Sequence, residues 1–368
     1  MKEGWTYKKI KDVGEVIGGT TPSTTNPEYW GGDICWISPA ELHGEHYLYD
    51  SVKKITAKAV SAKSLKELPV GAVILSSRAP IGKIAINKVP MYCNQGFKCV
   101  VCGPELYNEF LYWWFYGKVD YLNSLGTGAT FKEISKTVVE NIVVPIAPLE
   151  EQKRIVERLD AAFENIDKLK ANAEKQLAEA QTLFQKSLAK AMEPKEGWEE
   201  FSFGELIKLQ SGDYLPSKYM INGKYPVYGG NGIAGYHNQY NRDGGKIVIG
   251  RVGALCGNVH YITTPFWLTD NGFEVILLKN IDIDFKYLSF YLNFLELGKY
   301  ARQTAQPVIS NASLKDVKLF LPSYTVQQRI VERLDALSEN IRKYEEIQRQ
   351  IISECDALKQ ALLRKVFE

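Results

Sequence analysis

Apolar residues recur in alternating steps of four and three at Ile155, Leu159, Ala162, Ile166, Leu169 and Ala173, then again at Ala180 and Leu183. That spacing predicts a long amphipathic helix with a coiled-coil seam. A second series, Ile330, Leu334, Leu337, Ile341, Tyr344, Ile351, Cys355, Leu358 and Leu362, keeps the same rhythm, and Gln176 and Gln348 stand as polar breaks in the two seams. No Pro or Gly lies between positions 150 and 192. Pro148 and Pro322 stand just before the two stretches, and Pro194 with Gly197 closes the first, as expected of residues that start or stop a helix. At 1.5 Å per residue, about 40 residues make a rod on the order of 60 Å long. A seam needs a partner, and each stretch has the other as its nearest candidate.

The two helices are copies. Gln152-Lys153-Arg154-Ile155-Val156-Glu157-Arg158-Leu159-Asp160-Ala161 returns as Gln327-Gln328-Arg329-Ile330-Val331-Glu332-Arg333-Leu334-Asp335-Ala336, a shift of 175 that also carries Glu164-Asn165-Ile166 onto Glu339-Asn340-Ile341. A second echo, Lys2-Glu3-Gly4-Trp5 against Lys195-Glu196-Gly197-Trp198, is offset by 193, so the first half holds about 18 more residues between its opening and its helix. Internal repetition of this kind defines the architecture before any local reading does.

Between the repeats the pattern changes to short strands and turns. Ile34-Cys35-Trp36-Ile37 reads as a strand, and Gly71 to Ile86 reads as strand, polar turn, strand, with the same shape at Gly245 to Val259; an arginine, Arg78 or Arg251, ends a buried strand in each. Asn94-Gln95-Gly96-Phe97 and Asp270-Asn271-Gly272-Phe273 form a matched turn into a strand. Aromatic helical patches follow at Phe110 to Tyr121 and Phe285 to Tyr300, and then polar segments around Thr127 and Gln306. The expected fold is α+β: two pseudo-symmetric globular domains, 1–147 and 194–321, separated by two long antiparallel coiled-coil helices, 148–193 and 322–368. If the seams meet, the helices run antiparallel, the molecule is a dumbbell with an internal pseudo-two-fold, and its termini lie close together.

Composition narrows the class. With 368 residues and 45% hydrophobic content the chain can bury two or three cores. Its 45 basic and 43 acidic residues leave a net charge of +2, so no global field draws it to nucleic acid or a membrane. No apolar run approaches the roughly 18 residues of a membrane span, and Met1-Lys2-Glu3-Gly4-Trp5 carries no signal-peptide core, so a cytoplasmic protein is expected. Six cysteines, several inside valine-rich or isoleucine-rich runs, do not form a disulfide framework.

Catalytic motifs are missing. Asn26-Pro27-Glu28-Tyr29 is similar to the Asn-Pro-Pro-Tyr signature of amino-methyltransferases but lacks its second proline and any glycine-rich fingerprint for S-adenosylmethionine, and no phosphate loop for ATP occurs. Cys99-Val100-Val101-Cys102 reads as strand rather than as half of a zinc site. Four histidines offer no Ser/His/Asp spacing. No catalytic residue, metal site or cofactor of the chain's own is expected.

The loops hold the residue types that read base edges: Thr20, Thr21, Ser23, Ser77, Arg78, Lys83, Asn94, Gln95, Thr127 and Thr130 in the first half, and Tyr228, Asn231, Tyr236, Arg251, Asn271 and Gln306 in the second. Arginine forks onto guanine, and Asn or Gln onto adenine. Each alone also fits an ordinary turn or cap.

With the paired helices and variable middles in view, the whole chain resembles the specificity subunit of a type I restriction-modification system. The resemblance rests on Pro148-Leu149-Glu150-Glu151-Gln152-Lys153-Arg154-Ile155 and its second copy, which departs from the family pattern with Val326 before Gln327. It implies two target-recognition domains, each reading one half of a split double-stranded DNA target, with the helices fixing the gap. It also implies docking of two methyltransferase subunits, here through Gln152, Arg154, Arg158, Gln327, Arg329 and Arg333, and of restriction subunits that complete the complex. S-adenosylmethionine, ATP and Mg would then reside on those partners. Two other classes stay open: a protein-only scaffold, which needs no matched Arg/Asn/Gln loops, and a self-contained methyltransferase, which needs a cofactor pocket.

Overall fold

The computed structural model describes residues 4–78, 80–128, 132–302 and 306–368. Its elements gather into two compact units, Met1–Ala173 with Gln350–Glu368, and Glu174–Arg349.

In the first unit a five-stranded sheet has the order Gly14–Gly18, Lys98–Cys102, Val73–Leu75, Ile84–Asn87, Tyr47–Leu48. The central strands are apolar on both faces because both faces are covered. One face meets the helix Asn108–Gly117, which buries Phe110, Leu111, Trp113, Trp114 and Phe115. The other packs Ile37, Leu48, Ile74, Phe97 and Cys99 into a separate core. A three-stranded sheet, Lys53–Ile55, Trp30–Ile37, Tyr92–Cys93, adds a small aromatic cluster in which Trp30 and Trp36 meet edge to face at 5.0 Å. The strand Thr6–Lys9 pairs antiparallel with Val143–Ile146, which leads into the helix Leu149–Met192.

The second unit repeats the plan with one strand fewer. Its main sheet runs Ile207–Ser211, Gly272–Leu277, Lys246–Gly250, Val259–Ile262, covered by the helix Phe285–Phe294. A three-stranded sheet joins Gly232–His237, Tyr225–Gly229 and Trp267–Leu268, and Glu199–Ser202 pairs with Lys318–Leu321 just before the helix Tyr324–Phe367. The second unit is thus α+β like the first, as the sequence pattern predicts.

Each long helix has 44 residues, about 66 Å at 1.5 Å per residue. Within each unit the helical segments run antiparallel. In the first, Lys359 pairs with Asp167 and Lys170 with Asp356 at 2.8 Å, so partners fall in number on one helix as they rise on the other. In the second, the Tyr344 hydroxyl donates to Gln176 Oε1 at 2.7 Å, and Gln348 is buried; the polar breaks sit in the packed seam.

The seam itself needs one correction. Leu159, Ile166, Ala173 and Ala180 are buried as expected, but the other row is Val156 and Phe163 rather than Ile155, Ala162 and Leu169, and Leu169 and Leu183 are about half exposed. The cause is tertiary. The helix start packs on its own domain as well as on its partner, with Phe163 4.4 Å from Trp113 and the Trp113 indole donating to Asp160 at 2.8 Å. Side chains one position round from the two-helix seam face that domain.

A matched amide fixes each helix to its domain. Gln152 is fully buried: its Oε1 accepts from Tyr107 N at 2.8 Å, and its Nε2 donates to Glu105 O at 2.8 Å and Ala147 O at 2.7 Å. Gln327 repeats this with Asp284 N at 2.8 Å, Asp282 O at 3.3 Å and Pro322 O at 2.9 Å. These two glutamines, expected on the partner-facing side, are internal plugs with no surface to offer. Arg154, Arg158, Arg329 and Arg333 are exposed.

Candidate nucleic-acid interface

Backbone hydrogen bonds define which residues of the two domains are equivalent. Thr20 N donates to Cys93 O as Asp213 N does to Leu268 O; Asn94 N donates to Ile37 O as Thr269 N does to Tyr228 O; Phe97 N donates to Asn94 O as Gly272 N does to Thr269 O. Ser77 N donates to Gly96 O and accepts through its carbonyl from Ile134 N, and Arg251 does the same with Asn271 O and Ile309 N, all within 2.8–3.0 Å. The two turns therefore match as Asn94-Gln95-Gly96-Phe97 with Thr269-Asp270-Asn271-Gly272, one residue away from the alignment that shared letters suggest. Arg251 stands where domain 1 has Ser77, and Arg78 stands where domain 2 has Val252. Register follows the backbone ladder, and a slip of one residue turns a side chain to the opposite face.

In domain 1, Thr20, Thr21, Ser77, Arg78, Asn94 and Gln95 come together. Asn94 Nδ2 donates to Thr21 Oγ1 at 2.8 Å, its Oδ1 caps Gly96 N at 2.7 Å, and Thr21 hydrogen-bonds Gln95. Thr127 joins them through its bridge to Glu133, whose carboxylate lies 3.9 Å from Arg78. Ser23 is engaged in its own turn, 2.9 Å from Thr25 Oγ1. Lys83 points elsewhere, donating to Pro39 O and Leu42 O at 3.0 and 2.6 Å beside a cavity of about 710 Å³ that Tyr112, Asp120 and Arg364 also line. Thr130 lies outside the described residues.

In domain 2, Arg251 NH1 donates to Asp270 O at 3.2 Å, with its guanidinium 5.3 Å over the Phe273 ring. Asn271 is exposed beside it, and Asn231 is exposed at the hairpin tip, its amide near Gly253. Tyr228 is half-buried between Phe266 and His260; burial raises its hydroxyl and lowers the His260 imidazole, so both are held neutral. Tyr236 is exposed on the hairpin, and Gln306 is exposed just before Pro307, whose carbonyl accepts from Gly253 N at 3.2 Å.

Two further features of domain 2 lie outside the matched loops. Glu274 is buried at 4% exposure and carries Arg242 at 2.6 Å and Lys246 at 3.0 Å; Arg242 also reaches Asp213. This network ties the segment before the central strand to its neighbour, and no spacing in the sequence announces it. Tyr214, Tyr219 and Tyr240 expose 76%, 59% and 47% of their surface, and Lys218 lies 4.8 Å from the Tyr219 ring. Exposed aromatics interleaved with lysines suit stacking and phosphate contact; their density between positions 214 and 240 is the signal that could have found them.

Cys99 and Cys102 lie three apart on one strand, so their thiols face opposite sides: Cys99 is inside one core and Cys102 packs against the other. Burial pushes the Cys102 thiol up to about 12. Two thiols so separated do not share an ion. Among the described residues, no helix is long and apolar enough to cross a membrane.

Known proteins resemble the chain over its length. A family model for the type I restriction modification DNA specificity domain matches the chain twice, at residues 2–179 and 195–352. The MjaIX specificity subunit of Methanocaldococcus jannaschii is 38% identical over 249 residues, covering 61% of this chain and 57% of that subunit. The EcoprrI specificity subunit of Escherichia coli is 28% identical over 357 residues, covering 90% and 88%. Among solved structures, a chain from a study of assembly and conformational transition of the type I restriction-modification system aligns with a TM-score of 0.81 at 20% identity, covering 100% of this chain and 98% of that one. The HsdS subunit from Thermoanaerobacter tengcongensis gives 0.65 at 20% identity, covering 100% and 97%. At that identity the likeness is one of fold.

Proposed function

The chain belongs to the type I restriction modification DNA specificity family, and from that premise we propose that its two domains, 1–147 and 194–321, each read one half of a split double-stranded DNA target. The observation that carries the reading is the repeated loop framework: each domain presents a polar turn, 94–97 or 269–272, held by the same backbone bonds beside a basic side chain. Residues reading base edges are drawn in domain 1 from Thr20, Thr21, Ser77, Arg78, Asn94, Gln95 and Thr127, and in domain 2 from Asn231, Tyr236, Arg251, Asn271 and Gln306, with Tyr214, Tyr219 and Tyr240 added for stacking.

The chain itself is non-catalytic. Two methyltransferase subunits dock on the long helices, through surfaces that include Arg154 with Arg158 and Arg329 with Arg333, and restriction subunits complete a cytoplasmic complex. S-adenosylmethionine, ATP and Mg are bound by those partners. Helix length sets the gap between half-sites. Partners also explain how a chain of net charge +2 binds a polyanion, since they supply much of the phosphate contact.

The test is to express the chain with its methyltransferase subunits and map methylated positions across the host genome. A bipartite motif is expected, and replacing the loops of domain 1 by those of another such chain should change one half of it. A motif that survives replacement of both loop sets would mean that the chain organises the complex without reading DNA.

A further inference from the structure

We infer that Lys98, rather than Arg78, is the domain 1 counterpart of Arg251: each domain clamps the same turn with one cation, supplied in domain 1 by the strand that the turn leads into and in domain 2 by the end of the strand paired with it. The inference rests on the DNA-reading role proposed above and concerns how the reading turns are held.

Lys98 Nζ donates to Gln95 O at 3.0 Å, and Arg251 NH1 donates to Asp270 O at 3.2 Å. Gln95 and Asp270 are equivalent positions, the second residue of each turn. The supporting residues are exchanged as well. Ser77, at the Arg251 position, accepts from Lys98 at 3.2 Å, whereas Phe273, at the Lys98 position, lies under the Arg251 guanidinium at 5.3 Å. The same two strand positions therefore hold Ser and Lys in one domain and Arg and Phe in the other, and both combinations place positive charge on the same carbonyl.

Arg78 belongs to a different pair. It bridges Glu133 as Val252 bridges Val308, so where domain 2 has two valines domain 1 has an arginine and a glutamate, with 3.9 Å between the charged groups. Glu133 also accepts from Lys98 at 3.2 Å. The lysine is 9% exposed, and a lysine so buried is kept only by partners; here they are a turn carbonyl, a hydroxyl and a carboxylate. A four-residue turn has few bonds of its own, so a charge-assisted bond to its second carbonyl fixes where its exposed amides point. Lys98 is accordingly a positioning residue for half-site recognition.

The experiment uses the complete complex and reads methylated motifs genome-wide, alongside thermal unfolding of each variant. Lys98→Met should fold and lose discrimination in half-site 1 by 10-fold or more while half-site 2 stays intact. Copying the domain 2 arrangement into domain 1, with Ser77→Arg, Lys98→Phe and Glu133→Val together, should restore discrimination in half-site 1. Folded Lys98→Met with half-site 1 unchanged would overturn the inference, as would a folded triple variant that fails to restore it. If Lys98→Met does not fold, the triple variant decides alone, and its failure to fold would also count against the equivalence. A wild-type complex that methylates no bipartite motif would instead remove the proposed function, an outcome separable from all of these.

Discussion

At the foot of each long helix the two halves of the chain are wired alike; on the turns that face outward they are not. Gln152 and Gln327 make the same three backbone bonds at equivalent places, while the clamp on the turn comes from Lys98 in one half and from Arg251 in the other. The difference lies in how many solutions each site allows. A buried segment with two carbonyls and one N–H to satisfy needs an amide of one length and one attitude, since leaving any of them unpaired is costly. A partly open turn needs only a cation in the right place, which either adjoining strand can deliver.

The sharpest way to break this comparison lies where the helices differ despite their shared sequence. Phe163 fills a slot against Trp113, and its repeat counterpart is the exposed Ser338. Phe163→Ala should cost about 3 to 5 kcal/mol, as large-to-small core changes do, and Ser338→Ala should stay within about 0.5 kcal/mol. Equal losses by thermal unfolding would show that the helices pack on their domains alike. Next in size, Gln152→Ala and Gln327→Ala should each lower stability by about 3 kcal/mol, from stranding buried backbone groups at roughly 1 to 3 kcal/mol apiece. Denaturant titration giving less than about 1 kcal/mol for only one of them would end the claim of identical wiring.

A smaller contrast depends on pH. Glu109 and its counterpart Lys286 open the covering helices with opposite charge. Burial pushes the Glu109 carboxyl up, but His46 at 2.8 Å and Lys88 at 3.4 Å outweigh it and hold it below its ordinary value of 4.5. A carboxylate depressed in this way contributes stability that is present above its unfolded value and is lost as pH falls through the folded one. The Tm of wild type should therefore exceed that of Glu109→Gln by a few degrees near pH 6, and the gap should close below pH 4.5. A gap independent of pH between 3 and 6 would assign the effect to packing. Last, the matched surface pairs Lys168 with Glu164 at 2.6 Å and Lys343 with Glu339 at 2.8 Å should be silent in both halves, because exposed ion pairs balance small gains against side-chain entropy. A measurable drop in Tm for Lys168→Ala or Lys343→Ala would mean that these helix faces are not simply solvated.

Periodicity made the long helices, the repeat and the alternation of strands readable, because those signals are local and long. What it misplaced was one row of the seam: Val156 and Phe163 join the core of the first domain, Phe163 against Trp113 of a helix more than thirty residues upstream, and no periodic pattern encodes that contact. The turn alignment slipped for a similar reason. Shared Gly-Phe letters pointed one way and the ladder bonds another, and only the bonds set register. Lys98 stands inside Lys-Cys-Val-Val-Cys, whose letters read simply as strand. A lysine among buried valines is itself anomalous and marks a place to look for partners. The Glu274 cluster joins residues from separate strands with no common spacing, so only the folded chain displays it.

The unit made of Met1–Ala173 and Gln350–Glu368 is discontinuous, and the other is inserted in it. Leu363 and Phe367 complete the core around Phe110, with Phe367 5.3 Å from that ring, yet the ribosome reaches them only after making the 176 residues from Glu174 to Arg349. At about 5 to 20 residues per second that interval is on the order of 10 to 35 s. During it the nascent first unit presents an open aromatic socket, while the second, contiguous in the chain, can close as soon as it emerges. The molecule is therefore finished in the reverse of its reading order, its first core closing only when the last turns of the second long helix arrive.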